Sequence, residues 1–442
     1  EVAELLSKMA SNIFAIAETT AEYWRTLAWY WRGNSFTSCP YLREDENRQA
    51  RVQLCSLSLN FYLWDKPHYR HPSFAHDLRA NLRNVAVPGT GTPLSIFCWL
   101  KIFGYLMIVI INPILCFLGA INVALKQVFK ADFLITLNKA YRQHLLFPDD
   151  WFSYWRLNCS LASWYWFVTK ESGYDLENKW LFLQKCIEKD VPCSPYLDMK
   201  GLCIKHKNEE GGLGIHFFKN AMNGGDWIIQ QTMNNDKSVA KFLPKNAPLS
   251  TFRVMTGSRL GMASTGRNGS GGSSKDGTSS SSSFDKGNDD VFAFSCVFRA
   301  GRSGGLTDHD SILFDVDVPS KKMGIGKSNM HWYQRGFNKI FTTPWLNNSS
   351  YTHHPDGHIP VSGIDISQDI DKILLNCIDA HRKLFPGVPI AGWDVCLVEG
   401  EPRICFLEVN LMCNFFKGSF DKEKYFRFME DYFSFLDGHQ EK

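Results

Sequence analysis

The sequence predicts an α+β protein preceded by a mainly helical N-terminal region, and three observations carry that expectation. Residues 1 to about 90 place apolar positions at helical spacing, as in "ELLSKMASNIFAIAETTAEYWRTLAWYW". Residues 94 to 125 then carry a single charge, Lys101. From residue 131 onward, short apolar strand-like runs alternate with amphipathic helices, the texture of a mixed helix-and-sheet domain.

Composition narrows the classes. The chain of 442 residues is long enough for two or three domains. Its formal net charge of +3 is too small to argue for a nucleic-acid partner, and none is expected. Thirteen cysteines are an odd, scattered set with no C-x-x-C pair, which argues against a zinc site or a disulfide framework. Cys396 and Cys405 sit in apolar runs, where a free thiol acts as a small hydrophobe. A reducing intracellular or organellar compartment follows. The sequons at Asn158, Asn268, Asn347 and Asn348 recur too often by chance to oppose it. The chain begins with Glu, so a fragment or processed product is expected and targeting is left open.

The first element, residues 1–93, reads as a helical region rich in Trp, Tyr and Arg, with no motif that attaches to chemistry. The second, residues 94–130, is apolar. Ile102 to Leu125 is uncharged, and about 20 such residues cross a bilayer. Asn112-Pro113 in its middle removes a helix hydrogen bond, so a kinked span or a re-entrant pair of short helices leads over a straight span. Membrane contact through 94–125 is the expectation; a buried helix pair is the bland alternative. The Trp clusters at 24–31 and 151–166 read as core packing or an interfacial belt.

The third element, residues 131–442, is the α+β domain. It is interrupted by "STGRNGSGGSSKDGTSSSSSFDKGNDD", residues 264–290, a composition that cannot bury enough apolar surface to order itself. The flanks "TFRVMTGSRL" and "VFAFSCVFRAG" read as paired strands of one sheet, which makes the insertion a hairpin loop.

Two stretches carry candidate chemistry. In "LCIKHKNEEGGLGIHFF", Lys205 ends a short strand before a turn containing Gly211, Gly212 and Gly214, whose backbone can approach a phosphate closely. In "GWDVCLVEGEPRICFLEVNLMCN", isolated polar groups stand in apolar runs: Asp394, then Glu408 and Asn410. Residues two apart on a strand leave the same face, so Glu408 and Asn410 share one while Val409 points to the core. Antiparallel pairing of the two runs would bring Asp394 to that face. Carboxylate and amide oxygens are what magnesium prefers. His353 and His354 beside "PDGHIP" read as an exposed polar loop.

In order, these parts resemble an ATP-grasp enzyme, closest to the branch called sugar-transfer-associated or α-L-glutamate-ligase-related. The resemblance covers about residues 170 to 415, and its most specific part is the G-W-D followed by E-x-N. It implies two α+β subdomains gripping ATP. Lys179 and Lys205 match the two ATP-contacting lysines, and Gly211, Gly212 and Gly214 the flap over the triphosphate. Ile228 to Met233, with Gln230 and Gln231, match the adenine hinge. Asp394, Glu408 and Asn410 match the ligands of Mg2+. Arg253 and Arg299, with Arg302 beside them, match the residues that steady the transferring phosphoryl group. The hinge carries glutamines where an acid is common, and His206 follows Lys205 where proline is common. The implied activity is an ATP- and Mg2+-dependent ligase. It would activate a carboxylate, on a small molecule or glycan, as an acyl phosphate for attack by an amine or similar nucleophile. The alternatives are a phosphotransferase on the same fold, or a non-catalytic, membrane-associated structural subunit with a protein partner.

Overall fold

The computed structural model describes residues 2–42, 44–83, 85, 93–127, 132–208, 213–265, 290–308, 311–328, 350–413 and 418–439. It is an α+β structure with a helical N-terminal region and a large antiparallel sheet. Strands β1 (Gly201–Lys205) and β2 (Ile215–Lys219) form a separate hairpin. Seven strands build the main sheet: β3 (Thr251–Ser258), β4 (Val291–Ala300), β5 (Ile312–Asp317), β6 (Lys322–Ser328), β7 (Ser350–Tyr351), β10 (Ile390–Leu397) and β11 (Ile404–Asn410). Their order is β11-β10-β3-β4-β5-β6-β7. Two short strands, β8 (His353–His354) and β9 (Ile359–Pro360), pair apart from it. The runs flanking the Ser/Gly-rich insertion are antiparallel neighbours β3 and β4. The insertion itself, apart from Ser264, Thr265 and Asp290, lies outside the described residues.

The two faces of the sheet have different cover. On one, helix Ser367–Leu384 lays down Ile370, Ile373, Cys377, Ala380 and His381, all buried. Apolar residues at this three-and-four spacing make a core-facing stripe. On the other face, the half bearing Met255, Gly257, Phe292 and Phe294 is covered by helix Lys422–Gly438, where Phe428 meets both phenylalanines edge-on. A Cβ on Gly257 would stand 2.5 Å from the Phe294 ring, so only glycine lets that ring lie on the sheet. The other half of this face bears Thr251, Arg253, Arg299, Asp394 and Glu408, and is the subject of the next section.

Helix Trp151–Thr169 is apolar on nearly every side and runs between the sheet and the N-terminal helices. Asn158, met in the sequence as a sequon, is buried within it. Its amide donates to Cys413 O at 2.7 Å and accepts from Tyr425 Oη at 2.7 Å, so it is a structural residue and not a glycan acceptor. Helix Arg48–Tyr62 joins this layer through Arg48 and Arg51, both 2.6 Å from Glu430.

Residues 101–127 correct the expected re-entrant pair of short helices at Asn112-Pro113. They form one helix, with a π turn at Met107–Ile111. Pro113 has no N–H to offer the carbonyl of Val109, and Trp24 Nε1 donates to that oxygen instead at 3.0 Å. Tyr23 Oη donates to Ile108 O at 2.7 Å. Helix Val2–Trp31 therefore satisfies the carbonyls that would otherwise break the segment. The buried-pair alternative also fails, since only 22% of the most apolar stretch is buried.

The core beneath helix Ser367–Leu384 contains a relay that fixes Trp393. Its indole Nε1 donates to Thr256 Oγ1 at 2.8 Å, Thr256 meets His381 Nδ1 at 2.7 Å, and His381 Nε2 lies 2.9 Å from Val388 O. With His381 neutral and protonated on Nε2, Thr256 donates to Nδ1 and every group of the relay is satisfied. Burial accordingly pushes its pKa down to about 4, and burial does the same to His68 in the N-terminal region. A base with a folded pKa below its unfolded value takes up its proton in the unfolded chain first. Stability should therefore fall as pH drops from about 6.5 toward 4, by at most about 3 kcal/mol per histidine. Urea unfolding at pH 7.5, 5.5 and 4.5 checks this: His381→Gln should be less stable at pH 7.5 but show a flatter pH profile. An unaltered profile would place the pH dependence elsewhere.

Candidate functional site

Strand register assembles the site. Asp394 on β10 is paired with Arg253 on β3 on one side and with Glu408 on β11 on the other. Partners directly opposite in a sheet share a face, so the three side chains converge. Val409 lies opposite Trp393 and is buried in the core. On β4, Arg299 is paired with Thr251, two residues from Arg253, and joins the same face.

Asp394 is 4% exposed, and its carboxylate is bracketed by guanidiniums. Arg253 donates twice, Nε to Oδ1 at 2.5 Å and Nη2 to Oδ2 at 2.9 Å; Arg299 Nη1 lies 3.2 Å from Oδ2. Burial alone would raise the pKa of Asp394, but Arg253 and Arg299 outweigh it and hold the group below the usual carboxylate range. Arg299 also reaches Asp308 Oδ1 at 2.9 Å, and Thr251 Oγ1 donates to Asp308 Oδ2 at 2.5 Å. Burial pushes Asp308 upward despite that arginine. Gly392, of the G-W-D, makes room for this arrangement: a Cβ there would meet Cys413 Sγ at 2.7 Å and Arg253 Nη1 at 3.3 Å.

Toward solvent the site opens. Glu408 and Asn410 are half-buried, and Asn410 Nδ2 donates to Glu408 Oε1 at 3.4 Å. The Asn410 amide oxygen has no protein donor among the described residues. Lys179 is the first residue of helix Lys179–Glu188, capped by Asn178, and its Nζ lies 2.5 Å from Glu408 Oε2. A lysine at that end opposes the helix dipole, so Glu408 is the group that holds it there.

The segment expected as the adenine hinge, residues 228–233, forms a two-stranded crossing beside β11. Residues 192–194 run along β11, with Ser194 N to Phe406 O at 3.1 Å and Phe406 N to Pro192 O at 2.9 Å. The chain then pairs with that segment, Leu197 N to Ile229 O at 2.7 Å and Gln231 N to Pro195 O at 3.1 Å. In that antiparallel pattern Tyr196 and Gln230 form a non-hydrogen-bonded pair, so the Gln230 N–H and C=O point away from the partner strand. Neither has a partner among the described residues. The Gln230 side chain is tied back to Ser194, and Gln231 is exposed.

The structure thus brings together Lys179, Arg253, Arg299, Asp394, Glu408 and Asn410, and does not join the others to them. Lys205 ends β1 on the exposed hairpin, with no ion pair among the described residues. Gly214 closes that hairpin's loop at φ +63°, His206 N donating to its carbonyl at 3.0 Å. Gly211 and Gly212 lie outside the described residues. Arg302 is held away by Asp356, bidentate at 2.5 and 2.7 Å. His354, expected in an exposed loop, is fully buried, its Nε2 3.1 Å from Gly301 O. Sequence reasoning missed Glu177 and Arg70. Arg70 Nη1 lies 3.1 Å from Glu177 Oε1, which accepts from Leu411 N at 3.4 Å and so braces the chain just past Asn410. Arg70 pairs locally with Asp77, Nη2 to Oδ1 at 2.8 Å, but its link to the site runs through Glu177, 107 residues away, which no local pattern marks.

No protein-family model, no curated protein and no solved structure matches this chain. The family resemblance therefore rests on the motif residues and on where they stand.

The two acidic positions should respond differently to neutralisation. Asp394→Asn leaves two guanidiniums facing a neutral amide, one of them fully buried, and should cost about 3–5 kcal/mol. Glu408→Gln removes a half-exposed pair with a largely exposed lysine and should cost less than about 1 kcal/mol. Guanidinium denaturation of both variants checks this; equal losses would contradict the burial argument.

Proposed function

We propose that this sheet face is the phosphate and Mg2+ end of a nucleotide site, and that the chain is an ATP-dependent carboxylate–amine ligase of ATP-grasp type. The observation that carries the reading is the convergence of Asp394, Glu408 and Asn410 on one face, with Lys179 on Glu408 and two arginines on Asp394. The donor set fits the metal. Glu408, the Asn410 amide oxygen and Asp394 are hard oxygen ligands, of which magnesium takes one or two from protein. When bound, Mg2+ would neutralise phosphate charge. Asp394 can join it as Arg253 or Arg299 turns its donors onto a phosphoryl oxygen.

The protein's own part is positioning and charge compensation, which dominate catalysis of phosphoryl transfer. Lys179 and the arginines would hold the phosphates against the sheet. The outward-facing Gln230 peptide, with a donor and an acceptor side by side, suits the edge of an adenine. The β1–β2 hairpin, with Phe217 78% and Leu213 67% exposed, carries Lys205 and has the build of a flap that closes over a nucleotide. The substrate carboxylate would attack the γ-phosphorus, ADP would leave, and an amine would then displace phosphate from the acyl phosphate. The phosphotransferase reading differs only in stopping at a phosphorylated product. The first test is a thermal shift. Millimolar Mg-ATP should raise the Tm of the wild type by several degrees and that of Glu408→Gln by much less, with nucleotide-free Tm values nearly equal. No shift in the wild type would overturn both the ligase and the phosphotransferase readings.

We further propose that helix Lys101–Gln127 lies on a membrane. Its outward side carries Ile102, Leu106, Ile110, Ile114 and Leu118 at intervals of four, each 41–64% exposed, with Trp99 65% exposed at its start. Its inner side, with Gly104, Ile108, Pro113, Ala120 and Ala124, is buried against the protein. A helix with one face in protein and a wholly apolar face outside suits the plane of a bilayer interface better than water. Flotation with phosphatidylcholine vesicles tests it: the wild type should rise with the vesicles, and a variant combining Ile110→Ser, Ile114→Ser and Leu118→Ser should remain at the bottom. Equal behaviour of the two would remove the helix as the anchor.

A further inference from the structure

Arg51, Arg70, Arg253 and Arg299 each stand within ion-pair distance of a carboxylate. Arg156, on helix Trp151–Thr169, has none among the described residues. Its Nη2 donates to Gln53 Oε1, while its Nε, buried from solvent, has no acceptor among the described residues. Asp150, which acts on it through space, is already engaged in capping the helix: it accepts from Phe152 N at 3.0 Å, Ser153 N at 3.1 Å and Ser153 Oγ at 2.7 Å. Burial pulls the pKa of Arg156 below the usual arginine value. A guanidinium has five donors in a fixed fork, and a desolvated one without an anion is costly.

Arg156 lines two adjoining cavities, of about 430 and 110 Å³, whose walls also share Leu57, Leu94, Met107, Asn112 and Phe152. Both lie under helix Lys101–Gln127, on the side opposite its exposed apolar row. The larger carries polar groups beside Arg156, among them Gln143, His144 and Ser153, together with two carboxylates that are already engaged, Asp149 by Lys422 and Asp150 by the helix N-terminus. The smaller is walled by Phe61, Trp64, Leu78, Phe97 and Trp155. A few convergent polar groups at the edge of apolar space is the usual build of a small-molecule site, and a forked cation there selects carboxylate or phosphate.

We propose that these cavities bind a single-chain anionic amphiphile, a fatty carboxylate or an alkyl phosphate. Its headgroup pairs with Arg156, and its chain lies in the apolar space beneath helix Lys101–Gln127. The site is separate from the nucleotide face and stands or falls without it.

Titration calorimetry of the full chain below the micellar concentration tests this with dodecanoate, dodecyl phosphate, dodecanol and inorganic phosphate. At least one of the two anionic amphiphiles should saturate near one per chain and bind at least tenfold more tightly than dodecanol; whichever is tighter assigns the headgroup. Inorganic phosphate should give no saturable heat. In Arg156→Met that affinity should fall at least tenfold, to the level of dodecanol. Dodecanol matching both anions in the wild type, phosphate matching dodecyl phosphate, or undiminished binding by Arg156→Met would each overturn the proposal. If Arg156→Met does not fold, Leu94→Trp, which fills the shared wall, should abolish binding of every alkyl ligand, and unchanged binding there would overturn it equally.

Discussion

The buried carboxylate of Asp394, held by Arg253 and Arg299, is the constraint on which the site depends. It ties β10 to β3 and β4, and through Arg299 to the loop bearing Asp308. Such a cluster is a poor source of net stability, because each ion loses its water on burial. It does fix geometry. Removing Asp394 would leave the buried Arg253 without its carboxylate, while Arg299 would keep Asp308, so Asp394 is the member that the set depends on. In the proposed nucleotide site the same set would exchange partners: a cation beside Glu408 and Asn410 would take over Asp394, and a phosphate the arginines.

The surrounding fold serves that arrangement. The relay from Trp393 through Thr256 to His381 locks the residue next to Asp394 against the helix on the far face. Gly392 keeps space for the Arg253 guanidinium. Glu177 and Arg70 brace the backbone just after Asn410, so the N-terminal helical region contributes to the site that the C-terminal sheet displays.

What could be read from the sequence followed from local rules. Period-two geometry put Glu408 and Asn410 on one face with Val409 behind them, and paired apolar runs on either side of a Ser/Gly tract gave β3 against β4. What could not be read depended on distant encounters. Asp394 and Arg253 are 141 residues apart, and no local pattern states that they meet. The Asn112-Pro113 pair predicted a kink or a split into two helices, because Pro leaves a carbonyl without its donor; the split is absent, and Trp24 and Tyr23, more than 80 residues earlier, supply donors there. His353 and His354 looked like a polar loop, yet burial and a carbonyl partner make His354 part of the core. The helix over residues 101–127 showed its length in the sequence, but which of its faces meets protein is a property of the assembled chain.

The central claim is that the E-x-N strand, Lys179 and the hinge form one nucleotide cleft. A crystal structure of the full chain with Mg2+ and a non-hydrolysable ATP analogue tests it most directly. The account predicts phosphates between Lys179 and the Glu408–Asn410 strand, a metal on those two side chains, and adenine against the Gln230 peptide. A structure at saturating analogue with nucleotide bound elsewhere, or with this face unaltered and empty, would contradict it.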